Sequence, residues 1–194
     1  GLCIFYLLEP FIVIWIGAEY ILDKNVLILM VAIFFIGQIR SPVEHFKNAY
    51  GLFSDTWAPA AEAILNLMIS YIFGKLWGIA GIMFGTFVSL IIIVLLWKPY
   101  FLYKNGFKSN IWKYWKGFTY LLLVFCLSAF LINLIFKDVS YDNISNFYLW
   151  FISALKFSSV IFIVYSLLLY FLIPSFRVFC FRIYNLLIGK FQNK

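Results

Sequence analysis

The sequence predicts an all-α fold, a polytopic membrane helix bundle of about six transmembrane helices, and three observations carry that expectation. Of the 194 residues, 65% are hydrophobic and 12% charged, where a soluble domain has about 45–50% and about 25%, so polar surface to cover a water-soluble globule is lacking. The apolar residues fall into six uninterrupted stretches. All seven tryptophans (Trp15, Trp57, Trp77, Trp97, Trp112, Trp115 and Trp150) stand near the ends of those stretches, where indole rings favour the headgroup level. Soluble enzyme folds are excluded, and the alternating strands of a membrane β-barrel are absent.

Taken in order, the expected spans are 2–16, 26–39, 57–73, 77–97, 118–136 and 147–173, together forming a transmembrane lobe over 1–173. The first holds Glu9 directly before Pro10, whose missing donor loosens the helix. The second runs toward Pro42 and is expected to end near Ile39. The third carries Glu62, Asn66 and Ser70 at i, i+4 and i+8, which stacks them on one face. The fourth, at about 1.5 Å per residue, spans roughly 31 Å, close to the hydrocarbon thickness. Its Gly78, Gly81, Gly85 and Ser89 recur at three- and four-residue steps, the small-residue pattern that lets membrane helices approach closely. The fifth is bounded by the basic loop before it, and the sixth contains Lys156. Residues 174–194 then form a basic amphipathic tail, mixing Phe176, Phe179, Phe181 and Leu186 with Arg177, Arg182, Lys190 and Lys194, as a helix lying on anionic membrane lipid would.

Basic residues orient the bundle, because loops rich in Lys and Arg stay on the cytoplasmic side. Lys98, Lys104, Lys108, Lys113 and Lys116 follow the fourth span, Arg40 and Lys47 follow the second, and the tail adds four, making eleven on one side. Lys24, Lys75 and Lys137 lie opposite. The C-terminus is therefore expected in the cytoplasm, and the 137–146 loop with Asp138 and Asp142 on the outer face. Topology accounts for the net charge of +7, so no nucleic-acid partner is implied. The chain opens on Gly1 inside an apolar run and is expected to be the C-terminal portion of a longer protein.

Ionisable groups in hydrocarbon cost at least a few kcal/mol on insertion scales, so each needs a partner or a watery cavity. The Glu62, Asn66 and Ser70 stripe is a headgroup-contacting or proton-carrying face, or hydrogen-bonding glue between helices, or else Glu62 lies close enough to the cytoplasmic interface to be hydrated. If the second helix continues past Ile39, Arg40, Glu44 and Asn48 share a face; Arg40 then either meets a phosphate with its planar fork or pairs with Glu44. Lys156 either snorkels outward or meets an anion in a cavity. Glu9 is an ion-coupling candidate, as is Glu62. His45 is the only histidine, and Cys3, Cys126 and Cys180 are unpaired in spacing, so no metal site, cofactor site or catalytic set is expected.

Residues 10–22 (PFIVIWIGAEYIL) and 37–107, with Glu62 and Asn66, the Gly78, Gly81, Gly85 and Thr86 series, and Trp97-Lys98-Pro99-Tyr100, carry a further signal in their order and spacing. They resemble the C-terminal half of the O-antigen and capsule-repeat flippases, polysaccharide-biosynthesis proteins of the multidrug/oligosaccharidyl-lipid/polysaccharide exporter superfamily. The resemblance covers about residues 4 to 110 in detail. It implies one lobe of a two-lobe exporter of the bacterial cytoplasmic membrane, a lipid-diphosphate-linked oligosaccharide as substrate, and alternating access without cofactor or covalent chemistry. It also implies that an N-terminal lobe of the same chain is needed for transport. On the residues themselves, substrate contacts fall to Arg40, Glu62, Asn66, Ser70 and Lys156. A cation-coupled multidrug or metabolite exporter of the same fold and a non-catalytic membrane subunit are the competing readings; an enzyme would need paired carboxylates or more than one histidine.

Overall fold

The computed structural model describes residues 1–136 and 146–192, and every regular element among them is a helix. The expected outer loop, with Lys137, Asp138 and Asp142, lies outside the described residues, as does Lys194. Besides a single 3-10 turn at Ala18–Tyr20, seven helices follow one another among the described residues: α1 Leu2–Trp15, α2 Lys24–Ala49, α3 Trp57–Trp77, α4 Ile79–Phe107, α5 Trp112–Ile135, α6 Phe147–Leu172 and α7 Pro174–Gln192. Each expected apolar stretch falls on a helix, but two boundaries move. α2 runs ten residues past Ile39 with Pro42 inside it, and α4 runs past Trp97 as alternating α and π segments. The π segment Ile91–Trp97 ends just before Pro99, whose ring has no amide to donate; the register change sits where an α-helical bond is lost anyway.

Among the described residues, four helices are long and apolar enough to cross a membrane: α2, α4, α5 and α6. The chain thus has the build of a multi-pass membrane protein, but the expected count of six is not reached by length and composition. α1 has only 14 residues, about 21 Å of rise. α3 has the length at 21 residues, and Glu62, Asn66, Ser70 and Lys75 lower its hydropathy. Large apolar side chains face outward, among them Leu67 and Tyr71 on α3, Phe130 on α5 and Phe162 on α6, as a lipid solvent permits.

The chain divides into two compact units, 1–117 and 118–194, where the sequence reading has one lobe over 1–173 and a tail. In the first unit both α3 and α2 pack against α4. Leu90 and Val94 of α4 meet Ile36 of α2 at the centre of this core, with Ile33, Phe87 and Ile91 around them. Gly78, at φ +57°, turns the chain between α3 and α4 in a conformation that a side chain would strain. Beyond it the helices touch backbone to backbone: a Cβ on Gly81 would overlap the Phe73 carbonyl, and one on Gly85 would overlap Ser70. The expected close approach of small residues is thus formed between α4 and α3.

In the second unit the Asn146 side chain caps α6 by accepting from the Leu149 amide at 2.9 Å. Tyr120, early in α5, donates to the Leu172 carbonyl at the end of α6 at 2.6 Å, and Phe136, just after α5, stacks on Phe157 of α6 with ring centroids 3.8 Å apart. Pro174, which needs no partner for an amide, opens α7, and Phe179, Phe181, Tyr184 and Leu186 on it are exposed.

The seam makes opposite forecasts for two glycines. Gly81→Ala should lower unfolding stability in detergent by about 1–3 kcal/mol, because the backbone of Phe73 cannot step aside. Gly37→Ala, in α2 with nothing within 4 Å of its Cβ position, should raise stability by about 0.5–1 kcal/mol. Equal shifts in the thermal midpoints of the two variants would contradict the seam.

Candidate functional site

The end of α2, the start of α3 and the second half of α4 bring six ionisable residues of the first unit into one network. Continuing α2 past Ile39 places Arg40, Glu44 and Lys47 on successive turns, as the i, i+4 and i+3 steps require. The link from α2 to α3 folds back over them: Gly51, at φ +66°, follows the last turn, the Leu52 amide donates to the Lys47 carbonyl at 3.1 Å, and Asp55 accepts the Ala58 amide as α3 begins. Phe107 at the end of α4 packs edge-on against Phe46 and Tyr50, closing the third side.

Glu44 is the hub. Its Oε1 accepts Lys98 Nζ from α4 and stands 3.9 Å from Arg40 Nε, while Oε2 is 3.2 Å from Lys47 Nζ. Lys47 also donates to Asp55 Oδ1 at 2.8 Å, and Arg40 Nη1 donates to Glu62 Oε1 at 3.3 Å. Three cations face three anions, so the cluster is neutral, the condition under which such groups can leave water. Lys98 and Asp55 are almost wholly enclosed, each 2% exposed, whereas the Arg40 side chain at 38% is the most accessible member. Two carboxylate oxygens, Asp55 Oδ2 and Glu62 Oε2, are buried with no hydrogen-bond partner.

One turn beyond Glu62, Asn66 Oδ1 accepts the Ser70 hydroxyl at 2.8 Å and the Thr86 hydroxyl of α4 at 3.4 Å; Ser70 also lies 3.0 Å from the Ile82 carbonyl. The polar stripe of α3 is therefore turned toward its neighbours: Glu62 meets α2, and Asn66 and Ser70 are bonded into the α3–α4 seam, the interhelical arrangement among the alternatives.

Of the residues singled out from sequence, the structure brings Arg40, Glu62, Asn66 and Ser70 together in one unit. Lys156 belongs to the second unit, exposed on α6, and Glu9 is exposed on α1; neither forms an ion pair with a described residue. Lys47, Asp55 and Lys98 were not among the candidates. For Lys98 a signal existed: Leu90, Val94, Lys98 and Leu102 recur every four residues, and all four are buried. Among the described residues no group of His, Cys, Asp or Glu could hold a metal ion. The chain matches no family model, no curated protein and no solved structure. What the fold and composition define is a multi-pass helical membrane protein with a neutral, partly accessible charge network at one end of its first unit.

The network makes an asymmetric forecast. Glu44→Ala strands the enclosed Lys98 ammonium and should cost about 3–5 kcal/mol, as for any broken buried pair. Lys98→Met leaves Glu44 with Lys47 and Arg40 and should cost clearly less. Unfolding of the two variants in detergent, with the double variant to close the cycle, would overturn the hub assignment if Lys98→Met proved the more damaging.

Proposed function

We propose that this chain is the C-terminal part of a membrane flippase that moves lipid-diphosphate-linked oligosaccharide across the bacterial cytoplasmic membrane by alternating access, for surface polysaccharide biosynthesis. The observation that carries the reading is Arg40: a guanidinium left 38% exposed within an apolar bundle and paired, among the described residues, with the side-chain carboxylates of Glu44 and Glu62. A flippase must offset a diphosphate inside the membrane while the hydrocarbon tail stays in lipid, and a guanidinium matches two phosphate oxygens at once. The resemblance of residues 4–110 supports the same reading. Lys156 is the second candidate cation. Glu62 either accepts sugar hydroxyls or carries a proton. Asn66 and Ser70 are engaged in the α3–α4 seam, so this reading rests substrate contact on Arg40, Glu62 and Lys156.

The partners on this reading are the lipid-linked substrate, the N-terminal lobe of the same chain and anionic lipid beneath α7; no cofactor takes part. A cation-coupled exporter is the second reading, favoured by the buried, partnerless oxygens of Asp55 and Glu62, where a proton or cation would gain ligands.

In the full-length protein, Arg40→Ala should cut surface-polysaccharide export about ten- to a hundredfold at equal protein level, the loss of a charge-assisted contact of about 1.5–3 kcal/mol. Lys156→Ala should act in the same direction. Normal export by Arg40→Ala, Glu62→Ala and Lys156→Ala alike would remove the assignment, and drug efflux dependent on Glu62 would favour the exporter. Orientation is tested separately. A C-terminal fluorescent-protein fusion should glow and an alkaline-phosphatase fusion should be inactive; the reverse pattern would invert the topology.

A further inference from the structure

We propose that the first unit holds one anionic phospholipid, its acyl chain in a groove between α3, α4 and the start of α5 and its phosphate at Lys104. The groove has a volume of about 600 Å³, within the range of roughly 300–1,000 Å³ that ligand pockets occupy. Trp57 and Leu65 of α3, Leu96, Trp97 and Tyr100 of α4, and Trp115 of α5 line it with hydrocarbon and ring faces. Trp57 packs edge-on to Trp97 at 4.8 Å between centroids, which makes one wall a fixed aromatic surface. An acyl chain fits such a lining; a sugar or a peptide backbone would lose its hydrogen bonds there.

Charge selects the lipid. Lys104 stands one turn beyond Tyr100 on α4, its Nζ 5.5 Å from the centre of that ring, so a cation is placed beside a residue of the lining. It forms no ion pair with a described residue, because the carboxylates Glu44, Asp55 and Glu62 are taken by Arg40, Lys47 and Lys98. Between Glu62 and Lys137 the sequence has no Asp or Glu at all, while Lys108, Lys113 and Lys116 are also exposed in the stretch beside Lys104. Tryptophans favour the headgroup level, so a lipid whose chain enters among Trp57, Trp97 and Trp115 carries its phosphate to the height of this uncompensated cation. The proposal is independent of the transport reading: it concerns a resident lipid and holds whatever the substrate is.

The test is native mass spectrometry of the delipidated full-length protein with phosphatidylglycerol or phosphatidylcholine added. One phosphatidylglycerol should remain bound under activation that strips phosphatidylcholine. Lys104→Gln should weaken phosphatidylglycerol about fivefold and leave phosphatidylcholine unchanged. Leu65→Trp, which fills the groove, should expel both. Equal retention of the two lipids by the wild type, or an unchanged phosphatidylglycerol adduct in Lys104→Gln, would overturn the proposal. If Leu65→Trp fails to fold, the wild type decides: phosphatidylglycerol with a diazirine at its chain end should label Leu96, Tyr100 or Trp115. Labelling elsewhere only, or none because the chain's own residues cover the groove, would overturn it.

Discussion

The first unit depends on the electrostatic cost of keeping ionisable groups among apolar helices. A lone carboxylate or ammonium there would have to neutralise or find water. Glu44 removes the difficulty for three cations at once, taking Lys98 from α4 and Lys47 and Arg40 from its own helix, and Arg40 passes the link to Glu62 on α3. Glu44 and Arg40 together thus tie the three long helices of the unit at a single end. The extension of α2 past Ile39 is part of the same solution, since without those turns Glu44 would not stand opposite Lys98.

That dependence also explains which parts of the structure could be read from sequence. Each apolar stretch is a helix, because hydropathy over a span is a sum that individual residues barely disturb, and the small-residue series of α4 forms the contact its spacing implies. Arg40 and Glu62 were legible as polar intruders, but their pairing was not: Glu44, the partner suggested by an i+4 step, lies 3.9 Å away, and Glu62 of another helix is nearer at 3.3 Å. Two helices run on beyond their apolar stretches where charge begins, past Ile39 and Trp97, and a residue-by-residue scale prices Glu44 and Lys98 there as if each were alone. Counted as a loop lysine, Lys98 is in fact as enclosed as its apolar neighbour Leu102, both at 2% exposure. Only the four-residue rhythm shared with Leu90 and Val94 separates it from a surface charge.

The two ends of the unit differ in how they can yield. Along α3 and α4 the contact is backbone on backbone at Gly81 and at Gly85, with Asn66, Ser70 and Thr86 bonded across it, so sliding meets hard atoms and unmade hydrogen bonds together. At the charged end α2 and α3 are joined by an ion pair whose arginine is itself partly exposed. An ion pair exchanges one anion for another with little change in packing, and a carboxylate and a phosphate oxygen are near equivalents to a guanidinium. Movement of α2 against α3 is accordingly cheaper than movement of α3 against α4. An anion that binds at Arg40 must compete with Glu62 for it, and the α3–α4 pair would accompany that exchange as a single rigid piece.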